Sequence, residues 1–317
     1  MQILPLACAL LTLPLLADDE SSFSAPPPES WQRYDPRALA SLSPSVFDFS
    51  AGQCRIICGP PADLNEYYAF GLARAGLFAP QVFTDSVASV DVIDWNPTTD
   101  RAATDGTFIG VLTRVQTPVG LGNLNGYSAS IVDMGPNSGP GGIGRNGRLQ
   151  IVLVYLESNF VPLNGYVDFP LDPTHDYRLL LASIGDKHTA RVFDLTNPVA
   201  PVAELVGLDA NFPSGNTGIM ILTDRVALVD ATFDNFLTWD GSPPPLIIQN
   251  GASPGTIELS CDRRRAMGTD LDSTTDLNQV EDFWQNALPQ SATLSGEQLV
   301  SVFPIDGPRR FFRRKSL

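Results

Sequence analysis

The sequence is poor in the residues that most enzyme chemistry requires. Its 317 residues include two histidines, His175 and His188, and no His-Glu-x-x-His motif, P-loop or Gly-x-Ser-x-Gly elbow occurs. Neither histidine has a serine or cysteine nucleophile context beside it, so a catalytic triad would need distant segments. Cysteine is also scarce, and we expect Cys54, Cys58 and Cys261 to be small buried hydrophobes rather than metal ligands. The chain therefore contains no recognisable catalytic motif.

Apolar runs long enough to span a bilayer are also missing. The N-terminal run over residues 2–17 is too short for a membrane span, ends in the small residue Ala17 and is followed by acidic residues. That is the form of a secretory signal peptide, although no lysine or arginine precedes the apolar core. We therefore predict a signal peptide over 1–17 and a protein that is secreted, at the cell surface or periplasmic.

Positive charge is scarce as well. Asp and Glu number 35 against 20 Lys and Arg, a formal net charge of −15. An acidic protein repels phosphate backbones, so this balance argues against nucleic acid as a partner. The simplest interpretation of the charge is solubility.

Proline and glycine, in contrast, are abundant. The 27 prolines and 26 glycines interrupt the chain at short intervals, which predicts short strands and argues against long helices. Composition and spacing divide the chain into a signal peptide (1–17), a Pro/Ser-rich leader (18–45), a β-sandwich (46–241), a Pro-rich linker (242–250) and a small C-terminal β module with a basic tail (251–317).

Two elements are clear from pattern. The similar runs Tyr177–Ile184 and Thr189–Leu195 flank the turn Gly185–His188 and predict a hairpin. Residues 227–239 predict a long strand in which strict alternation places Phe233 with Leu237 on one face and Phe236 on the other.

The order of features along 46–241 resembles a concanavalin A-like lectin/glucanase domain, of the laminin-G-like jelly-roll type found in secreted bacterial proteins. The residues that carry the resemblance are Tyr177-Arg178, Ala190–Asp194, Asp209 with Gly215–Ile219, and Asp230–Phe236. The resemblance implies an all-β, two-sheet jelly-roll sandwich. The segment 251–314 similarly resembles a short C-terminal β module of such proteins, through Ile257–Cys261 and Arg310–Arg313.

A polysaccharide ligand would be recognised by aromatic side chains that stack on its sugar rings. The candidates for such a platform are Trp95, Tyr127, Tyr155 and Trp239. Large aromatic residues of a β-sandwich are also its usual core, and the sequence does not choose between the two roles.

Calcium is a candidate structural cofactor, because jelly-roll domains often hold it in carboxylate and carbonyl oxygens at a strand end. Asp48, Asp234 and Asn235 could form such a site if the first and last strands of the sandwich pair. The alternative is that Asp234 and Asn235 only hydrogen-bond to loop amides.

Glycoside hydrolysis needs two carboxylates about 5–10 Å apart. The Glu-x-Asp-x-x-Glu strand of the glucanases is not found, and Asp230 and Asp234 would lie about 13 Å apart on an extended strand. We therefore expect an exported, non-catalytic binding or surface-associated protein that recognises polysaccharide. A divergent glycan-active enzyme and a purely structural extracellular protein remain the alternatives.

Overall fold

The computed structural model describes residues 19–59, 74–98, 107–118, 122–157, 159–223, 228–244, 246–254, 256–274, 285–286, 291–295, 298–304 and 311–317. The predicted signal peptide lies outside these residues. Within them, no helix is both long and apolar enough to cross a membrane.

Strands dominate the described chain. Those up to residue 241 are β1 (Asp19–Ser21), β2 (Gln32–Tyr34), β3 (Val46–Asp48), β4 (Cys54–Cys58), β5 (Arg74–Phe78), β6 (Ser86–Trp95), β7 (Thr107–Gln116), β8 (Asn125–Pro136), β9 (Arg145–Tyr155), β10 (Asn159–Pro170), β11 (Tyr177–Ile184), β12 (Lys187–Asp194), β13 (Ala203–Leu208), β14 (Asn216–Thr223) and β15 (Val229–Trp239). Those beyond it are β16 (Ile247–Asn250), β17 (Thr256–Asp262), β18 (Thr269–Thr274), β19 (Gln285–Asn286), β20 (Ser291–Ser295), β21 (Gln298–Pro304) and β22 (Phe311–Ser316). The short helices are α1 (Pro36–Leu39) and α2 (Arg263–Ala266), with a 3-10 turn at Pro140–Gly142.

Two large antiparallel sheets form the body of the protein. Sheet A has the order β13-β12-β11-β6-β15-β4-β3, and β1 also pairs with β15. Sheet B has the order β10-β9-β8-β7-β14-β5-β2. The expectation of an all-β sandwich of two sheets is confirmed. Beyond it, β16, β17, β21 and β20 form a four-stranded sheet, and β19, β18 and β22 form a three-stranded one.

The main core lies between sheets A and B. Alternate residues of each strand point to it, such as Ile109 and Val111 on β7, which pack in one buried cluster with Leu179 and Leu181 on β11. Removing one such side chain from water contributes about 1.5–3 kcal/mol, so the many inward-facing positions hold the layers together. Cys54 joins this cluster as a free thiol, and burial raises its pKa to about 12.

The predicted hairpin is confirmed with a shorter turn. Ser183 pairs with His188 and Ile184 with Lys187, so the turn consists of two residues. Its first residue, Gly185, has a φ of 55°, a conformation that glycine adopts without steric cost. The second strand therefore begins at Lys187, two residues before the predicted start.

The segment predicted to be a leader takes part in the sandwich. Its strand β1 pairs with β15 of sheet A and its strand β2 pairs with β5 of sheet B. Phe23 and Trp31 are buried, and the Trp31 ring meets the Phe236 ring edge-on at 5.4 Å. Trp31 thus docks this segment on the sandwich in spite of the Pro- and Ser-rich sequence around it.

The last sandwich strand, β15, departs from strict alternation. Its pairing with β6 shifts between Asp234 and Leu237, where Asn235 has a φ of 50°. This bulge turns Phe236 into the main core beside Phe233, and Leu237 faces outward. The predicted distribution of faces is wrong after Asp234, because one irregular residue reverses all that follow it.

The C-terminal unit packs on the outer face of sheet A. Met267 and Leu317 complete a buried cluster with Leu180, Phe193 and Trp239 of that face. Polar contacts fix the same junction, since Arg191 on β12 donates hydrogen bonds to the carbonyl of Met267 (3.0 Å) and to the carboxylate of Asp270 (2.9 Å). Strands β11 and β12 are therefore buried on both sides.

Candidate functional site

The outer face of sheet B carries a row of side chains that crosses the whole sheet. Successive strand pairings align one residue from each strand, in the order Tyr34, Gly76, Met220, Gly110, Ser130, Gln150 and Tyr166. The row contains two glycines and a serine, so the middle of this face is low. Its two ends carry aromatic residues.

A depression, here called the trough, follows from these small residues. It is lined by Phe108, Gly110, Ser128, Ser130, Gln150, Val152, Phe160, Met220 and Leu222. The hydroxyls of Ser128 and Ser130 lie 3.0 Å apart on its floor, and a Cβ on Gly110 would stand 2.8 Å from the Ser128 hydroxyl. A side chain at position 110 would therefore displace the Ser128 hydroxyl. The trough leaves about 10 Å³ for solvent, roughly the space that one water molecule needs.

Beside the trough lies an exposed polar group, here called the patch, formed by Arg148, Gln150, Tyr166 and Asp168. The Arg148 guanidinium donates to both carboxylate oxygens of Asp168, at 2.8 and 3.3 Å. It also lies 3.6 Å from the centroid of the Tyr166 ring, close enough for a cation–π contact. The hydrogen bond to Asp168 raises the pKa of Arg148 above its usual value. Tyr166 is 56% exposed even with this contact.

The patch combines the two elements that hold a sugar. An aromatic ring presents an apolar face that can stack on the C–H face of a pyranose. The planar guanidinium, carboxylate and amide groups offer paired donors and acceptors to neighbouring hydroxyls. Because Arg148 and Asp168 already hold each other, their orientation is set before a ligand arrives.

The turn between β9 and β10 closes one side of the trough. Arg74, on the outer face of β5, donates a hydrogen bond to the backbone carbonyl of Glu157 in that turn. Its guanidinium also lies 5.1 Å from the centroid of the Phe160 ring. The Glu157 side chain accepts a hydrogen bond from the backbone of Gly122. Phe160 is thereby held over the trough.

Three of the four aromatic residues predicted as a platform lie in the interior. Trp95 and Tyr127 belong to the main core, where the Trp95 indole donates to Asp133 (3.3 Å). Trp239 lies fully buried beneath the C-terminal unit. Tyr155 is exposed, but it points away from the side of β9 that carries Gln150. The four do not form one surface, because three of them fill space between layers.

The three residues predicted to hold calcium do not come together. β4 lies between β3 and β15, so the backbones of Asp48 and Asp234 are separated by two strand spacings, about 10 Å. Asp48 accepts from the Ser50 amide (2.8 Å), and Asp234 from the Asn235 amide (2.7 Å). No group of three metal-binding side chains is found among the residues that the structure describes. Calcium stays a prediction that this arrangement does not favour.

A buried hydrogen-bonded chain joins the two sheets and was missed by the sequence patterns. Thr113 of sheet B meets the Ser183 hydroxyl of sheet A at 2.6 Å, and Ser183 contacts His188 Nδ1 at 2.8 Å. His188 Nε2 donates to the carbonyl of Asp209 (3.0 Å), while its ring stacks on Tyr127 at 3.8 Å. Ser183 and His188 are both fully buried, so a substrate has no access to them. This series of hydrogen bonds has a structural role, because it links sheet A to sheet B.

Alternation in two strands was the available signal for the patch. Arg148 and Gln150 are two residues apart on β9, as are Tyr166 and Asp168 on β10, so each pair shares a face. What the sequence did not reveal was that Arg148 pairs with Asp168 and Gln150 with Tyr166. The register between β9 and β10 is set only when the two strands pair in the folded sheet.

Comparison with known proteins finds similarity in solved structures alone. The exoplasmic/lumenal domain of VIP36 in its Ca²⁺/Man-bound form is 11% identical with a TM-score of 0.45, over 69% of this chain and 86% of that chain. The CBM2 module of the Lactobacillus casei BL23 phage J-1 evolved Dit is 12% identical with a TM-score of 0.43, over 70% of this chain and 94% of that chain. The carbohydrate-binding module CBM66 from Bacillus subtilis is 14% identical with a TM-score of 0.36, over 52% of this chain and 81% of that chain. No family model and no curated protein sequence matches the chain.

Proposed function

We propose that this protein is an exported, non-catalytic glycan-binding protein and that the patch on the outer face of sheet B is its binding site. One observation carries the proposal: an exposed tyrosine ring lies against a pre-oriented Arg148–Asp168 pair. Export is supported by the N-terminal sequence.

Binding without turnover is supported by the carboxylates of this face. On the described strands of sheet B, Asp168 is the one carboxylate that points outward from the sheet. Hydrolysis of a glycosidic bond uses two carboxylates, one on each side of the bond. A lone carboxylate that is paired with an arginine suits hydrogen bonding to hydroxyls.

The test is binding of the purified protein to a glycan array, followed by titration of the retained glycan. Changing Tyr166 to Ala removes the stacking face, so we expect about a two- to tenfold loss of affinity, from a stacking energy of about 0.5–1.5 kcal/mol. Tyr155→Ala is the matched control, since Tyr155 is a comparably exposed tyrosine outside the patch.

Two results would contradict the proposal. One is a protein that retains no glycan at all, which would favour the purely structural alternative. The other is a glycan whose affinity is unchanged by Tyr166→Ala but reduced by the Tyr155 control. Release of reducing sugar that stops in Asp168→Asn would establish the enzymatic alternative instead.

A further inference from the structure

The contact between Arg74 and the β9–β10 turn reveals the curvature of sheet B. In the strand order, β9 and β5 are four positions apart, which is about 19 Å in a flat sheet at roughly 4.8 Å per strand. An arginine side chain cannot bridge that distance. Because Arg74 nevertheless contacts Glu157 and Phe160 across the outer face, the sheet curls with this face inside.

The closure at this side is anchored rather than loose. Arg74 is fully buried, and Glu157 is 2% exposed. Leu156 and Glu157 have φ angles of 48° and 62°, in the left-handed region that side chains rarely occupy. Successive residues with positive φ are usual in a tight hairpin turn, and the hydrogen bonds from Arg74 and from the Gly122 amide hold this one in place. The turn is therefore a fixed roof over the trough.

The roof decides how far a ligand can extend. From Tyr166 and Gln150, the cross-strand row continues through Ser130 and Gly110 into the trough. Phe160 lines that same trough, and the space left there is about that of one water molecule. The trough therefore has no room for a sugar ring beside the patch on that side.

Charge narrows the ligand class further. Arg148 is neutralised by Asp168, so the patch has no net charge to offer an anionic sugar. The whole chain carries −15, which repels polyanionic glycans. A neutral sugar meets neither obstacle.

From this geometry we infer, on the basis of the proposed function, that the site takes the end of a neutral glycan chain. The terminal residue stacks on the face of the Tyr166 ring that the Arg148 guanidinium leaves free, and Gln150, which pairs with Tyr166 across the strands, binds its hydroxyls. The remainder of the glycan leaves over β10 into solvent. An internal segment that continues along the cross-strand row is excluded, because it would have to pass beneath Phe160.

The experiment asks whether inhibition follows the number of glycan chain ends or the total mass of glycan. Size-fractionated dextran, mannan and galactan compete with the array-bound protein at equal mass of sugar. Recognition of ends predicts that a tenfold shorter chain inhibits roughly tenfold better per gram, in proportion to the number of ends. Recognition of internal segments predicts equal or weaker inhibition by the shorter chains.

A roof variant provides the second measurement. Phe160→Ala opens the trough, so we expect long chains to gain potency relative to short ones. Thermal unfolding of this variant reports whether the fold is kept, and the size series on the unchanged protein stands without it. If inhibition per gram ignores chain length, the chain-end inference is wrong although glycan binding survives. If no polysaccharide inhibits and the array is empty, both proposals fail.

Discussion

The two sheets bury their inner faces against each other but differ in what their outer faces meet. On sheet A, Leu180, Phe193 and Trp239 are covered by Met267 and Leu317 of the C-terminal unit. On sheet B the outer face is covered only in part: Val152, Val154 and Met220 belong to a second buried cluster, whereas Arg148, Tyr166 and Asp168 of β9 and β10 are half-buried or exposed. Strand β11 is buried at nearly every position, whereas most of β10 is exposed or half-buried.

This difference between the sheets shows that the side chains on an outer face indicate whether another layer of the protein covers it. A strand with large apolar side chains on both faces needs a layer on each side, because leaving them in water forgoes the burial energy. Small and polar residues carry no such requirement. The exposed part of the outer face of sheet B is therefore the patch on β9 and β10, whereas the outer face of sheet A is buried beneath the C-terminal unit.

The largest expected effect tests the covered face. Trp239→Ala leaves a cavity between sheet A and the C-terminal unit, and we expect the free energy of unfolding to fall by about 4 kcal/mol. The matched change on the open face, Tyr166→Ala, should alter it by less than about 1 kcal/mol. Urea denaturation monitored by circular dichroism measures both. Equal losses from the two variants would erase the proposed contrast.

A buried ion pair beneath the C-terminal unit sharpens the same comparison. Arg178 contacts both carboxylate oxygens of Asp91, at 2.6 and 2.8 Å, and both residues are almost fully buried. Arg178→Met leaves the buried Asp91 carboxylate without its cationic partner, with the Asn235 side-chain amide (3.0 Å) still donating to it, so we expect a loss of about 3 kcal/mol in unfolding free energy.

The surface pair Arg148–Asp168 is the control for that prediction. Arg148→Met should cost about 1 kcal/mol or less, because the partly exposed Asp168 keeps its hydration. If the two methionine variants unfold at the same urea concentration, burial at the C-terminal junction is not what distinguishes the faces.

The smallest expected effect concerns the interior that both faces share. Burial lowers the pKa of His188, so below about pH 6.5 the unfolded state takes up a proton before the folded state does. Stability should therefore fall as pH drops, by up to about 1.4 kcal/mol per pH unit. His175 has the opposite sign, because its hydrogen bond to Asp194 raises its pKa and favours the folded state at lower pH.

Unfolding free energies at pH 7.5 and 5.5 separate the two histidines. We expect His188→Gln to lose less stability on acidification than the unchanged protein, and His175→Gln to lose more. Carboxylates such as Asp172 and Asp194, whose pKa values are lowered, titrate below this window. A His188→Gln variant that loses stability as steeply as the unchanged protein would show that this histidine does not titrate between the two states.

Much of the architecture was predictable because alternating residues and turn residues mark each strand in the local sequence. The hairpin of β11 and β12 follows from two alternating runs around a glycine turn. The all-β class follows from many short runs between turn residues. The residues of the proposed site were not predictable, because aromatic identity does not reveal burial. Trp95 and Trp239 fill the interior, while Tyr166, which received no role from its sequence context, is exposed.

The local sequence therefore determined the strands and their approximate limits, since these depend on neighbours in the chain. Composition alone determined the scarcity of histidine and cysteine. Tertiary structure alone decided the rest. Register brought Arg148 to Asp168, a bulge at Asn235 turned Phe236 inward, and the curl of sheet B carried Phe160 over the trough. Each of these depends on residues from separate strands, whose relative position is set by packing energy summed over the whole sandwich.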